Sequence, residues 1–222
     1  MIAKRSWAHR ARRAFTLLEI LIALAIVALV MVAMNTLIFS MGELWGQNSD
    51  LRLFELHVRN VSRYLERELQ TAALPPYATT TDPGITVQEV RAENGITENL
   101  LTFELPEGSR IFAWPERPLP DVVCSLAMRE REGLFMLWHS RLEKRFTDEA
   151  PREALVSPLV TEMTYEYYDT DFKNWKSERT LRKDPTGAFV VPDRIRLVFT
   201  YDKRKIESVI GVPSSVQGVP ML

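Results

Sequence analysis

A chain of 222 residues, 46% apolar and 26% charged, has the size and composition of one folded domain, which excludes a disordered or low-complexity polymer. Its formal charge of −1 argues against a nucleic-acid binder held by a global basic field, and its single cysteine, Cys124, excludes an internal disulfide framework and a multi-cysteine zinc site. The near-zero charge hides a split: residues 1–14 hold Lys4, Arg5, Arg10, Arg12 and Arg13 without one acid, so everything after them is net acidic.

The first element is apolar. Residues 20–34 read ILIALAIVALVMVAM, with no polar side chain, and residues 15–41 admit only Thr16, Glu19, Asn35, Thr36 and Ser40 as interruptions. A bilayer core takes roughly 20 mostly apolar residues as helix, so residues 15–41 are predicted to span one. The basic flank predicts a cytoplasmic N-terminus. A cleaved secretory signal peptide is one reading, yet no small-residue A-x-A site follows the apolar run. A plain signal anchor is another, in which Glu19 has no purpose. A carboxylate within such a segment costs about 2.5–3.5 kcal/mol at the bilayer centre on insertion scales, which makes Glu19 a functional candidate.

The residues Arg12-Arg13-Ala14-Phe15-Thr16-Leu17-Leu18-Glu19-Ile20-Leu21-Ile22-Ala23-Leu24 resemble the class III signal of type IV pilins and pseudopilins. The resemblance implies cleavage by a prepilin peptidase between Ala14 and Phe15, N-methylation of Phe15, and Glu19 as the fifth residue of the mature chain. It also implies that Glu19 pairs with the N-terminal amine of a neighbouring subunit, which would offset the cost of burying either charge alone. One position departs from the family, which nearly always has Gly before the cut where this chain has Ala14. Alanine is the next smallest side chain, and cleavage is still expected there.

Beyond the apolar run, Leu44, Leu51, Phe54, Val58, Val61, Leu65 and Ala72 fall at heptad-like spacing, predicting an amphipathic helix over residues 42–74. Arg52, Glu55, Arg59, Arg63, Glu66 and Arg67 take its polar faces, and His57 is expected on solvated surface. Gly42 and Gly46 are candidate bends. Leu74-Pro75-Pro76 ends the helix. With so short a seam, packing against the protein's own sheet is expected rather than a coiled coil.

From Pro76 the pattern turns to short apolar runs punctuated by Pro and Gly. Residues 85–90, 100–105, 122–128, 134–138, 159–169 and 193–201 are predicted strands. Residues 106–120 are predicted as a surface loop, 140–154 as a charged connection and 211–222 as a flexible tail. The expected fold class is α+β: a long N-terminal α-helix, transmembrane in its first half, packed on an antiparallel β-sheet body, pilin-like. The expected organisation is a cleaved leader (1–14), a transmembrane helix (15–41), an amphipathic helix (42–74), a periplasmic β-rich domain (75–210) and the tail.

No G-x-S-x-G, P-loop, G-x-G-x-x-G or H-E-x-x-H pattern occurs, so no enzyme is expected. Cys124 lies in an apolar run and reads as a buried structural thiol. Asp169, Asp171 and Asn174 form an oxygen-rich cluster that lacks the Gly and later Glu of a calcium loop, so a solvated hairpin turn is expected there and calcium is the weaker reading. No cofactor is expected. Tyr165, Tyr167, Tyr168, Phe172 and Trp175 serve either core and rim packing or a partner surface. Arg141, Lys144, Arg145 and Arg152 alternate with Glu143, Asp148, Glu149 and Glu153, a mixed face rather than a nucleic-acid patch.

The runs LVTEMTYEYYDTDFKNW and VVPDRIRLVF resemble the tail of the J-type minor pseudopilin of type II secretion systems. That resemblance implies a structural subunit of the secretion pseudopilus, part of a tip complex initiating assembly for protein export. It implies other minor and major pseudopilins, prepilin peptidase and an inner-membrane assembly platform as partners, a single inner-membrane pass and a periplasmic C-terminal domain. A minor type IV pilin, acting in pilus assembly, adhesion or DNA uptake, shares every N-terminal feature. An unrelated signal-anchored periplasmic binding module is the third reading.

Overall fold

The computed structural model describes residues 16–74, 84–91, 95, 97–144, 146 and 149–213. The leader, the expected cleavage position at Ala14 and Phe15, and the expected tail from residue 214 lie outside the described residues. Among the described residues one helix, α1 (Leu17–Ala72), leads into nine strands. The chain divides into two units, Met1–Arg52 and Leu53–Leu222, and α1 contributes to both.

In the first unit α1 is apolar nearly all round up to Gly42. Its stretch Leu17–Gly42 is 26 residues, long and apolar enough to cross a membrane, with none of it buried. At 1.5 Å per residue it spans about 39 Å, more than the ~30 Å of a hydrocarbon core. The Thr36 hydroxyl within it is satisfied locally, its Oγ1 donating to the carbonyls of Val32 (3.2 Å) and Ala33 (2.9 Å). The helix is unbroken through Gly42 and Gly46, the two candidate bends.

In the second unit α1 is amphipathic. Phe54, Val58, Val61, Leu65, Leu69 and Ala72 are all buried at steps of three and four, so the apolar seam packs within the chain's own core. The sequence reading omitted Leu69, which is fully buried. The helix ends with 3₁₀-type closure, Leu74 N–H donating to Thr71 O at 3.2 Å.

The strands make two antiparallel sheets rather than one. β1 (Ile85–Arg91), β2 (Thr97–Leu105), β3 (Val122–Arg129), β4 (Gly133–Ser140) and β5 (Arg152–Ser157) pair in chain order. β6 (Val160–Asp169), β7 (Asn174–Glu178), β8 (Arg194–Tyr201) and β9 (Arg204–Gly211) form the second sheet, in the order β7-β6-β8-β9. The alternation read from the sequence holds in β6 and β8: Met163, Tyr165, Tyr167, Ile195, Leu197 and Phe199 face the core.

β5, β7 and β9 were not expected. The charged connection expected over residues 140–154 ends early, because β5 begins at Arg152; its charges are absorbed by pairing, Arg152 with Glu143 at 2.8 Å and Glu153 with Arg129. β7, at one edge of its sheet, is exposed and polar and lacks an apolar signature, whereas β9, at the other edge, turns Ile206 and the fully buried Ile210 toward the core and the rest outward.

The corner Pro158-Leu159 passes the chain from one sheet to the other. It depends on Gly133, whose φ of +107° and position leave no room for a side chain: a Cβ there would lie 2.2 Å from Ser157 O. Ser157 also ties the corner to the helix, its Oγ lying 2.8 Å from His57 Nε2. His57 further packs edge-on to Phe199, so it is half-buried and bridges β5 and β8 instead of lying on solvated surface. Other ties from α1 reach both sheets: Tyr64 to Met136 of β4, Ser62 to Ser208 of β9 at 2.6 Å, and Phe54 to Tyr201. The loop over residues 106–120 is more than a surface loop, because it carries Phe112 into the core, stacked on Trp138 at 4.5 Å.

Candidate functional site

The described chain opens on the residues that the sequence singled out. Thr16 precedes the first helical residue and Glu19 lies in the first turn. Thr16 N–H donates to Glu19 Oε2 at 3.1 Å, and Glu19 N–H donates to Thr16 Oγ1 at 3.3 Å. The Thr16 hydroxyl also lies 3.3 Å from Glu19 Oε2. This is a reciprocal capping box, T-x-x-E, in which two of the amides that a helix start leaves unpaired find partners. Its sequence signal is Thr three residues before Glu ahead of an apolar run, a spacing that treating Glu19 as an isolated charge misses.

The cap has three physical consequences. It begins the helix at Leu17, two residues after Phe15. It satisfies backbone donors that the start of a helix otherwise leaves without an intrahelical partner. It also holds the Glu19 carboxylate at the positive end of the helix dipole, where a negative charge is favourable. Glu19 is thus fixed by its own chain, its carboxylate turned back toward the N-terminus.

The other candidates are dispersed. Asp169, Asp171 and Asn174 lie at the β6–β7 hairpin, and Asp169 closes it: Oδ1 accepts the N–H of Asp171 (3.0 Å) and of Phe172 (3.1 Å), while Oδ2 meets Lys176 Nζ at 2.5 Å. The Lys176 ammonium, followed by those amides, holds the Asp169 carboxyl below the usual carboxylate range. Among the described residues, no group of three or more His, Cys, Asp or Glu is placed to hold a metal ion.

The five aromatic candidates divide. Tyr165 and Tyr167 are core residues, whereas Tyr168, Phe172 and Trp175 face outward. Arg194 stacks its guanidinium 3.6 Å from the centre of the Trp175 ring. Cys124 is fully buried in β3, and burial, with the Glu68 charge second, pushes its thiol up and away from reactivity. Below α1, Ser109 Oγ donates to Glu68 Oε1 at 2.9 Å and lies 2.8 Å from Tyr64 Oη, a polar island that joins the helix to the loop before β3.

On the outer face of the second sheet Glu166 is buried at 2% exposure, held by Arg196 Nε at 2.7 Å, with Arg196 also reaching Glu207 at 2.5 Å. Sequence reading placed Glu166 on an outward face and missed this pair, which the cross-strand register creates: Thr164 stands opposite Arg196, and Arg194 opposite Glu166.

Residues 9–35 match the family described as the prokaryotic N-terminal methylation motif. Comparison with curated proteins and with solved structures finds no match.

Proposed function

Since the chain carries the N-terminal signature of the type IV pilin and pseudopilin family, a class III signal that prepilin peptidase cleaves and that implies assembly with other pilins, we propose that it is a minor pseudopilin of a type II secretion system, a structural subunit and not an enzyme. The apolar helix near the N-terminus, together with that motif, fits a membrane-anchored protein. On this reading the peptidase cuts between Ala14 and Phe15 and the new amine of Phe15 is methylated. The N-terminus faces the cytoplasm, residues 15–41 anchor the chain in the inner membrane, and the β-rich unit lies in the periplasm. There it joins other minor and major pseudopilins at the inner-membrane assembly platform, in a tip complex for protein export.

The observation that carries the reading is the motif at residues 9–35 at the head of an exposed apolar helix capped by Thr16 and Glu19. The assignment to the J-type subunit rests on the resemblance of the β6–β8 sequence. Glu19 has the assembly role: its carboxylate, fixed at the helix start, is available to the amine of a neighbouring subunit.

Mass spectrometry of the mature protein tests the first step, with a methylated Phe15 start expected; any other start overturns the reading. Deletion of the gene tests the second. Loss of protein secretion with piliation intact is expected, whereas loss of piliation with normal secretion assigns the chain to the minor type IV pilins, which share the same signal.

A further inference from the structure

The β6–β7 hairpin carries three aromatic side chains that the fold leaves uncovered: Tyr168, Phe172 and Trp175 are 43%, 75% and 40% exposed. Tyr168 and Trp175 stand opposite each other in the ladder, ring centres 5.0 Å apart. Arg194 lies over Trp175, Lys176 over Phe172, and Asp169 is taken up by Lys176. Those three charges are engaged within the patch, and what it offers outward is aromatic surface. Clustered exposed apolar side chains of this kind mark a place that something covers.

The chain leaves the second sheet beside this patch. The β8–β9 ladder runs on to Val212, whose N–H donates to Asp193 O at 2.9 Å, and Asp193 Oδ2 accepts the N–H of Tyr168 at 2.8 Å. Val212 is buried with the core, and Gly211 stands opposite Arg194. The alternation of a strand therefore puts Gly211 and Pro213 on the outer face that Tyr168, Trp175 and Arg194 share. No atom beyond its chain neighbours lies within 4 Å of where a Gly211 side chain would be, so that face is open beside Arg194. In the order β7-β6-β8-β9 the first and last strands are three strand spacings apart, about 14 Å.

We infer that the segment 214–222 of this same chain docks on the patch of Tyr168, Phe172 and Trp175. It reads SSVQGVPML, nine residues without a charged side chain in a chain that is 26% charged, and its Val216, Val219, Met221 and Leu222 supply apolar groups to lay on the rings. Nine residues reach up to about 30 Å when extended, roughly twice the distance across the sheet. A segment tethered that close meets the patch at an effective concentration on the order of millimolar, ahead of a separate molecule of the same chemistry. The docking concerns the β-rich unit alone and does not rest on the proposed role in secretion.

The test uses the full chain in detergent micelles with Gln217→Cys labelled by bimane, a fluorophore that tryptophan quenches on contact; Cys124 is fully buried and stays unlabelled. Trp175→Phe, which keeps an apolar ring and removes the quencher, is expected to brighten the label at least twofold. Tyr168→Ser/Phe172→Ser is expected to brighten it with Trp175 still in place, because the segment leaves the patch. In the unlabelled chain, deletion of 214–222 is expected to raise the rate of hydroxyl-radical modification of Phe172 and Trp175 at least twofold, read by mass spectrometry. Thermal unfolding of these variants is expected to match the parent chain, since the replaced side chains are exposed. An unchanged label in Trp175→Phe overturns the inference, as does a deletion that leaves the modification rates unchanged. Dimming of labelled Trp175→Phe on mixing with unlabelled parent chain means that quenching passes between molecules, which assigns the patch to a second copy and overturns it equally.

Discussion

The two halves of α1 follow opposite rules. From Leu17 to Gly42 every described side chain is exposed and nearly all are apolar, while from residue 53 to Ala72 the apolar residues are confined to a seam and buried. Leucine content does not separate the two. What separates them is periodicity: an all-round apolar helix presents one kind of surface in every direction and suits an apolar solvent, whereas a seam at steps of three and four suits a sheet on one side and water on the other. Carboxylates mark the same contrast. Glu19 caps its own helix through one carboxylate oxygen, while Glu68, on the second half, accepts from Ser109 of a loop.

The largest effect should come from the same substitution placed in each half. Leu69→Ala removes a fully buried side chain and is expected to destabilise the folded unit by about 2–5 kcal/mol in denaturant unfolding. Leu29, 72% exposed, is expected to leave that transition unchanged when replaced by Ala. Equal losses would break the comparison, since they would mean that the apolar half is packed against the body.

Charge gives the next contrast. Arg196→Ala leaves the buried Glu166 without its main partner and is expected to cost about 2 kcal/mol. Lysine at position 196 should restore only part of this, because it cannot present the planar fork. In the apolar half Thr16→Ala should cost about 1 kcal/mol at the helix start, read as faster amide exchange in the first turn, with Thr16→Ser restoring protection. The unfolding midpoint of the β-rich unit should not move in Thr16→Ala; a shift there would show that the cap supports more than its own helix.

Sequence patterns revealed these features unequally, for physical reasons. The apolar run, the seam and the alternation of β6 and β8 were legible because burial on one face imposes a period. The edge strand β7 was not, since an edge strand in water needs no apolar pattern, and β5 was masked by charges that only cross-strand pairing with β4 and its neighbours explains. The split into two sheets was equally hidden: it turns on the corner at Pro158 and on Gly133, a glycine whose necessity appears only when Ser157 O is beside it. At the candidate site Glu19 was legible as a costly charge. Thr16, though part of a known spacing, was overlooked because its function is a hydrogen bond and not a charge.

The smallest expected effect separates two carboxylates of the folded unit by sign. Burial raises the Glu68 carboxyl above its ordinary value, with the Ser109 bond opposing. The folded chain therefore binds that proton more tightly than the unfolded chain, and the stability it contributes is full at low pH and lost as pH rises through the raised value. Glu143 is the reverse: the Arg152 guanidinium lowers it, so its contribution is present at neutral pH and lost as pH falls. Glu68→Gln, which keeps an acceptor for Ser109, is expected to raise the melting temperature at pH 7 by about 2 °C or less. Glu143→Gln should lower it by a similar amount, and both differences should close toward pH 3. A Glu68→Gln variant that melts lower than the parent at pH 7 would mean that the Ser109 bond outweighs burial. The polar island under α1 would then hold the helix in place, and the second half of α1 would depend on a charged anchor as the first half depends on Glu19.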